Sequence, residues 1–245
     1  MALDCADIRL NGVDYAAHEL PVIVFGLKQR LAYVHNAKAA CTSALNFLFQ
    51  TNHGYMYLDP PAIHASKFAF IQLGPDSGPE PVKAFNDLAP ETFSFVRDPL
   101  QRLISAFISK ILTRHDPNYR ELRDRVTSLH GIDLSAQADP ARSCLAFAKL
   151  VAVQEDPKQI DRHFRPQYLN LGFDGRFRVN TILRLEERDA VRDFTAKWIG
   201  ADKAQWLLAQ KFGATPDYAK DDLVSDELVD LVRKVYARDY ELFYG

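Results

Sequence analysis

The chain has few cysteines: three in 245 residues, at positions 5, 41 and 144. Their odd number, at spacings that match no metal-ligand pattern, argues against a disulfide framework and for reduced thiols in a cytoplasmic setting. A surplus of one charge is also missing, since 30 Lys and Arg face 32 Asp and Glu for a net charge of −2. That balance gives no reason to expect nucleic acid or an anionic membrane as partner, so any basic site must be local. No apolar run approaches the ~18 residues of a membrane span. The opening MALDCADIRLNG carries Asp4 and Asp7 and lacks the basic n-region of a signal peptide, so neither leader nor transmembrane helix is expected. Internal repeats and low-complexity segments are absent. A Walker A loop, G-x-x-x-x-G-K-[ST], is absent too, which argues against an ATP-driven kinase.

With 47% hydrophobic residues the chain can bury a full core. One domain over 1–245 is expected, its core spanning about 21–245 behind a peripheral segment 1–20 with one short strand. Residues 21–25 (PVIVF) and 31–35 (LAYVH) read as strands joined by a short connection, and 44–50 (ALNFLFQ) as a helix. Residues 64–73 suit a short helix or strand, 74–81 a loop, and 82–88 a helical turn. The charged stretch 114–125 suits a solvated helix face or a basic rim. Helices are expected at 141–153, 188–199, 201–210 and 225–240, and a strand at 177–185. Alternating strands and helices predict an α/β layer fold with a mainly parallel central sheet flanked by helices, whose ligands sit at the carboxyl ends of the strands.

Two strand–turn–helix junctions have the composition of anion grips. In the first, a strand ends at His35, and Asn36-Ala37-Lys38-Ala39-Ala40-Cys41-Thr42-Ser43 leads into a helix. Small side chains let backbone N–H groups approach an anion while Lys38 supplies a point charge. In the second, the strand around Phe93, Phe95 and Val96 turns at Arg97-Asp98-Pro99. Asp98 is an N-cap and Pro99 a first helical residue, followed by a core stripe at Leu100, Leu103, Ile104, Phe107, Ile108 and Ile111. Arg97 at this junction offers a planar fork that matches phosphate oxygens.

VHNAKAACTSA (34–44) resembles the 5′-phosphosulfate loop of sulfotransferases. FVRDPLQRLISAF (95–107) resembles that family's 3′-phosphate motif, F-V-R-[DN]-P-x-x-R-L-x-S-A-[FY]. The K-x-A-C-T form is most like the carbohydrate branch, of the chondroitin 4-sulfating and related bacterial type. Weaker echoes are DRHFRPQ at 161–167, ILRLE at 182–186 and YARDYELFYG at 236–245. Ala37 stands where the family commonly has Pro, and Ala39-Ala40 replace variants that contain Gly.

The resemblance implies a P-loop-NTPase-like sulfotransferase fold and transfer of a sulfuryl group from 3′-phosphoadenosine 5′-phosphosulfate (PAPS) to an acceptor hydroxyl or amine. Lys38 would stabilise charge on the leaving phosphate. Backbone N–H groups of Ala39, Ala40, Cys41, Thr42 and Ser43, with the Thr42 and Ser43 hydroxyls, would hold the 5′-phosphate. Arg97 and Ser105 would hold the 3′-phosphate. No metal is expected. The base is sought first at His64 and His163, because imidazole titrates near neutrality, with another His, such as His35, or a Glu as the remaining alternatives. The acceptor is expected to be a saccharide, a glycolipid or another hydroxyl compound, and Tyr55, Tyr57, Phe68 and the arginine-rich turns would suit a sugar or a phenol. A homo-oligomer is compatible. A kinase, or a nucleotide-binding protein without turnover, are the competing readings.

Overall fold

The computed structural model describes residues 8–10, 13–15, 21–28, 30–65, 70–74, 77–112, 117–130, 139–174, 177–210, 212 and 220–245. The chain forms two compact units, Met1–Val96 with Gln167–Gly213, and Arg97–Pro166 with Ala214–Gly245. In chain order, a small hairpin β1 (Ile8–Leu10) and β2 (Val13–Tyr15) precedes β3 (Ile23–Phe25), β4 (Leu31–Val34) and α1 (Cys41–His53). A 3-10 turn (Pro60–Ala65), β5 (Ile71–Leu73), α2 (Pro79–Leu88) and β6 (Glu91–Val96) follow. Next come α3 (Pro99–Ala106), a π-helical segment (Phe107–Leu112), α4 (Arg120–His130) and α5 (Pro140–Ala152). The chain continues through α6 (Gln167–Asn170), β7 (Thr181–Arg184), α7 (Arg188–Ile199), α8 (Ala201–Ala209), α9 (Asp226–Val235) and α10 (Ala237–Tyr244). No helix among the described residues is long and apolar enough to cross a membrane.

The α/β class is as expected, and the five-stranded sheet of the first unit has the order β5-β3-β4-β6-β7. It is mixed. β4 pairs in parallel with β6, and β6 with β7, whereas β3 is antiparallel to both β4 and β5. β5 therefore runs with β4, and β3 alone opposes the other four. The reason is connection length: 26–30 is too short for a crossover, and a short link makes a hairpin. β4 is buried throughout and β6 nearly so, which is why both read as continuous apolar runs. Tyr33, Phe47, Phe93 and Phe95 form an aromatic cluster beneath them, with Phe47 and Phe95 edge-on to Phe93 at 5.4 and 5.7 Å.

In the second unit the stripe predicted along 100–111 does face a core. Leu103, Ile104, Phe107, Ile108 and Ile111 are buried with Phe147, Phe164 and Tyr236. The α-helix stops at Ala106, however, and widens into a π turn. The helix expected over 225–240 is two helices that divide at Tyr236. Tyr236 is buried there, and its hydroxyl donates to the Phe164 carbonyl at 2.6 Å. The strand expected over 177–185 pairs only at Thr181–Arg184.

Candidate functional site

β4 delivers the chain to the loop 35–40 at its carboxyl end, and the base of that loop is held rigidly. Ser94 Oγ donates to the Val34 carbonyl at 2.7 Å. Asn36 is fully buried, and its Nδ2 donates to the Phe95 carbonyl (3.0 Å) and to Gln167 Oε1 (2.9 Å). Its Oδ1 accepts from Asn170 (3.3 Å), and its backbone N–H donates to the Tyr33 hydroxyl (3.2 Å). A buried amide satisfied on this many sides sets one loop geometry, because any alternative leaves polar groups without partners.

Above this base the backbone adopts a conformation that L-residues avoid. Lys38 has φ 66° and Ala40 φ 53°, while Ala39 between them keeps a negative φ. Such alternation of hands is the backbone geometry of an anion-binding nest, although the Ala39 N–H is taken by the Asn36 carbonyl at 3.3 Å. Ala40 caps α1 without a side-chain hydrogen bond, and no acidic residue stands in the helix's first turn. The helix start therefore keeps its favourable field for negative charge. Holding two non-glycine residues in the left-handed region costs roughly 1–2 kcal/mol each. Ala40→Gly is accordingly expected to stabilise the protein by roughly 0.5–1 kcal/mol, read as a rise of about 1–4 °C in Tm.

His64 reaches this loop through α1. Asn46 is buried, and its Nδ2 donates to the carbonyls of Thr42 and Pro60, both at 2.9 Å, tying the 3-10 turn to the helix. His64 Nε2 then lies 3.0 Å from Thr42 Oγ1 and 3.8 Å from Cys41 Sγ. Its ring is edge-on to His35, with centroids 6.4 Å apart. One ring nitrogen each of His35 and His64 and the Cys41 thiol all lie within 4.8 Å of one another. Beside the loop, at the carboxyl ends of β6 and β7, opens a cavity of about 430 Å3 lined by Ala40, Ser43, Phe47, Phe95, Leu185 and Arg188 among others. Its walls are mostly apolar with a few polar groups, the composition of a small-molecule site. Tyr57 packs edge-on against Phe49 at 5.2 Å, and Tyr55 is exposed. Phe68, Arg114 and His115 lie outside the described residues.

In the second unit Asp98 caps α3 as predicted, accepting from the Gln101 N–H at 2.9 Å, with Pro99 in the first turn. Arg97 is half-buried just ahead of the cap, and Ser105 is buried near the helix's other end. Arg102, between them, is 1% exposed. Its guanidinium donates to the carbonyls of Arg165 (2.8 Å) and Arg162 (2.9 Å), which flank His163. The imidazole is held in turn: Nδ1 lies 2.7 Å from Asp161 Oδ1 and 2.6 Å from the Tyr119 hydroxyl. Burial favours the neutral carboxyl of Asp161, but hydrogen bonds from the His163 side chain and backbone, its charge and the Tyr119 hydroxyl outweigh that and hold it at about 2. Burial lowers the His163 pKa, against the pull of Asp161 toward the charged form.

The residues singled out in the sequence thus fall in two groups. Lys38 to Ser43 and His64 come together in the first unit, while Arg97, Ser105 and His163 belong to the second. Sequence reasoning missed Asn36, Gln167 and Asn170 as the support of the loop, and Arg102 as the clamp on the 162–165 turn. Three of these four stand inside recognised motifs, but their burial was not readable there.

A family model described as the sulfotransferase family matches residues 23–245. No curated protein and no solved structure matches the chain significantly. The match spans both units and takes in the Lys38 loop and the Arg97 junction: the chain belongs to the sulfotransferase family.

Proposed function

We propose that the protein uses PAPS as donor and transfers its sulfuryl group to a hydroxyl of a carbohydrate or glycolipid. The observation that carries this reading is the Lys38–Ala40 backbone, strained in alternating hands at the start of α1. Strain of that kind persists where the surroundings enforce it, and a site for a compact anion gives it a purpose. One family model covers both units, which supports treating 1–245 as a single catalytic domain.

In this reading the 5′-phosphate rests on the N–H groups of Ala40, Cys41, Thr42 and Ser43, with the Thr42 and Ser43 hydroxyls beside them. The Ala39 N–H, expected from the sequence to join them, donates to the Asn36 carbonyl instead. The apolar cavity next to Ser43 has room and lining for the adenine. Arg97 and Ser105 bind the 3′-phosphate and so exclude ATP. The acceptor oxygen attacks sulfur, the bond from sulfur to the bridging phosphate oxygen breaks, and Lys38 neutralises the charge that develops on that oxygen. The acceptor proton passes to His64 Nε2. A second reading places the base at His163, and the Asp161 carboxylate against its Nδ1 supports it. The base is the histidine whose replacement by alanine removes the near-neutral inflection from the pH profile of kcat.

The decisive experiment incubates the protein with 35S-labelled donor and a panel of sugars, phenols and lipids, and titrates ATP and the 3′,5′-bisphosphate alongside. Labelled product and tight bisphosphate binding are expected. Preferential ATP binding would favour a kinase, and bisphosphate binding without turnover would favour a non-catalytic binder. Arg97→Ala should weaken donor binding by roughly 1.5–3 kcal/mol, the worth of a hydrogen bond to a charged group. Unchanged donor affinity in the folded variant would remove Arg97 from the site.

A further inference from the structure

The first unit brings together three metal-ligating side chains that the transfer reaction does not need as a set. His35 directly follows β4, Cys41 opens α1, and His64 arrives on the 3-10 turn that Asn46 ties to the helix. They are 6 and 23 residues apart, and only the fold unites them. Their ligand atoms lie within 4.8 Å of one another.

We propose that His35, Cys41 and His64 form a site for one thiophilic transition-metal ion, Zn2+ by its ligand chemistry, and that the bound ion silences the enzyme. One thiolate and two imidazoles make a borderline-soft donor set that suits Zn2+ or Co2+ and gives Mg2+ or Ca2+ no oxygen ligands. Bond lengths of ≈2.3 Å to sulfur and ≈2.0–2.1 Å to nitrogen make the edges of a tetrahedral site about 3.6 Å for S···N and about 3.3 Å for N···N. Cys41 Sγ and His64 Nε2, at 3.8 Å, are already near the first value. The widest separation the cluster allows, 4.8 Å, closes by side-chain rotation of about 1.5 Å. His64 is exposed, and His35 and Cys41 are half-buried, so a hydrated ion has an approach. Three protein ligands leave the fourth position to water or an anionic oxygen.

Binding displaces the Cys41 thiol proton to solvent as the S–Zn bond forms, so affinity rises with pH. It also engages the lone pair of His64 Nε2, which then neither contacts Thr42 nor accepts a proton. Silencing therefore rests on the reading of His64 as base, whereas binding does not. Cys144 is no competitor, because burial pushes its thiol up to about 12.

The test uses the full chain carrying Cys5→Ser, stripped with chelator and titrated with Co2+, whose thiolate ligation gives a charge-transfer absorption. One equivalent should produce that band, and Zn2+ should abolish it by displacement. Cys41→Ser should lack the band, and His35→Ala should weaken Zn2+ affinity at least about tenfold. No band in the parent, or a band that persists in Cys41→Ser, overturns the site. In the transfer assay Zn2+ should inhibit the parent and chelator should restore it, while Mg2+ should have no effect. Stoichiometric binding without inhibition overturns the silencing. A metal-free parent with no turnover counts against the transfer reading, and the Co2+ titration still decides the site.

Discussion

Lys38→Ala is expected to lower kcat by about 10²–10³-fold, the loss found when one preorganised charge-stabilising group is removed from a transition state. In-line sulfuryl transfer asks little covalent chemistry of the protein, as with phosphoryl transfer, so most of the rate rests on positioning and on neutralising the leaving group. A lysine half-buried as a residue on a rigid loop suits that task. Lys38→Gly sharpens the test. It loses the same charge but releases the strain at φ 66°, so kcat should fall as in Lys38→Ala while stability rises by roughly 0.5–1 kcal/mol. Activity and stability moving in opposite directions cannot come from general damage to the fold. Single-turnover assays with labelled donor and thermal melts of both variants check it, and Lys38→Ala turnover within threefold of the parent would remove Lys38 from the reaction.

The largest effect on stability is expected from Arg102→Ala, about 3–5 kcal/mol. Its guanidinium is almost wholly buried, grips two carbonyls and lies within the field of Asp161 and Asp239. Truncation strips both carbonyls of this donor and removes a positive charge near the buried Asp239 carboxylate. Against a typical stability of ~5–15 kcal/mol that loss is about a fifth or more. Urea unfolding should show a lower midpoint at unchanged slope. A loss below ~1 kcal/mol would show that the clamp is unimportant. Arg102→Lys should recover only part, since a point charge does not reproduce a fork spanning two acceptors.

Elements with strong local chemistry could be read in advance. Asp98-Pro99 and Asp139-Pro140 cap helices as their residue types dictate, and both side-chain caps form. The reversed direction of β3 was also latent in the five residues 26–30, too few for a crossover. The break at Tyr236 was not legible, because it depends on a carbonyl 72 positions away. The Lys38 loop was recognisable from composition, but its left-handed residues are alanine and lysine where propensity would place glycine. The His35–Cys41–His64 cluster was hidden for a different reason. Metal spacing rules describe ligands close in sequence, and here the residues come from three separate segments, two of which Asn46 ties together.

The hydrogen bond from Asn36 to Gln167 spans 131 positions of sequence, and both residues belong to the first unit. During synthesis the ribosome must therefore make all of 97–166 before the amide that braces the loop exists. Until then β6 also lacks β7, its parallel neighbour in the finished sheet, and presents an open edge. The nascent chain thus carries every residue of the Lys38 loop long before it can hold the loop in its strained shape, and competence to bind an anion there arrives late, with Gln167 and Asn170.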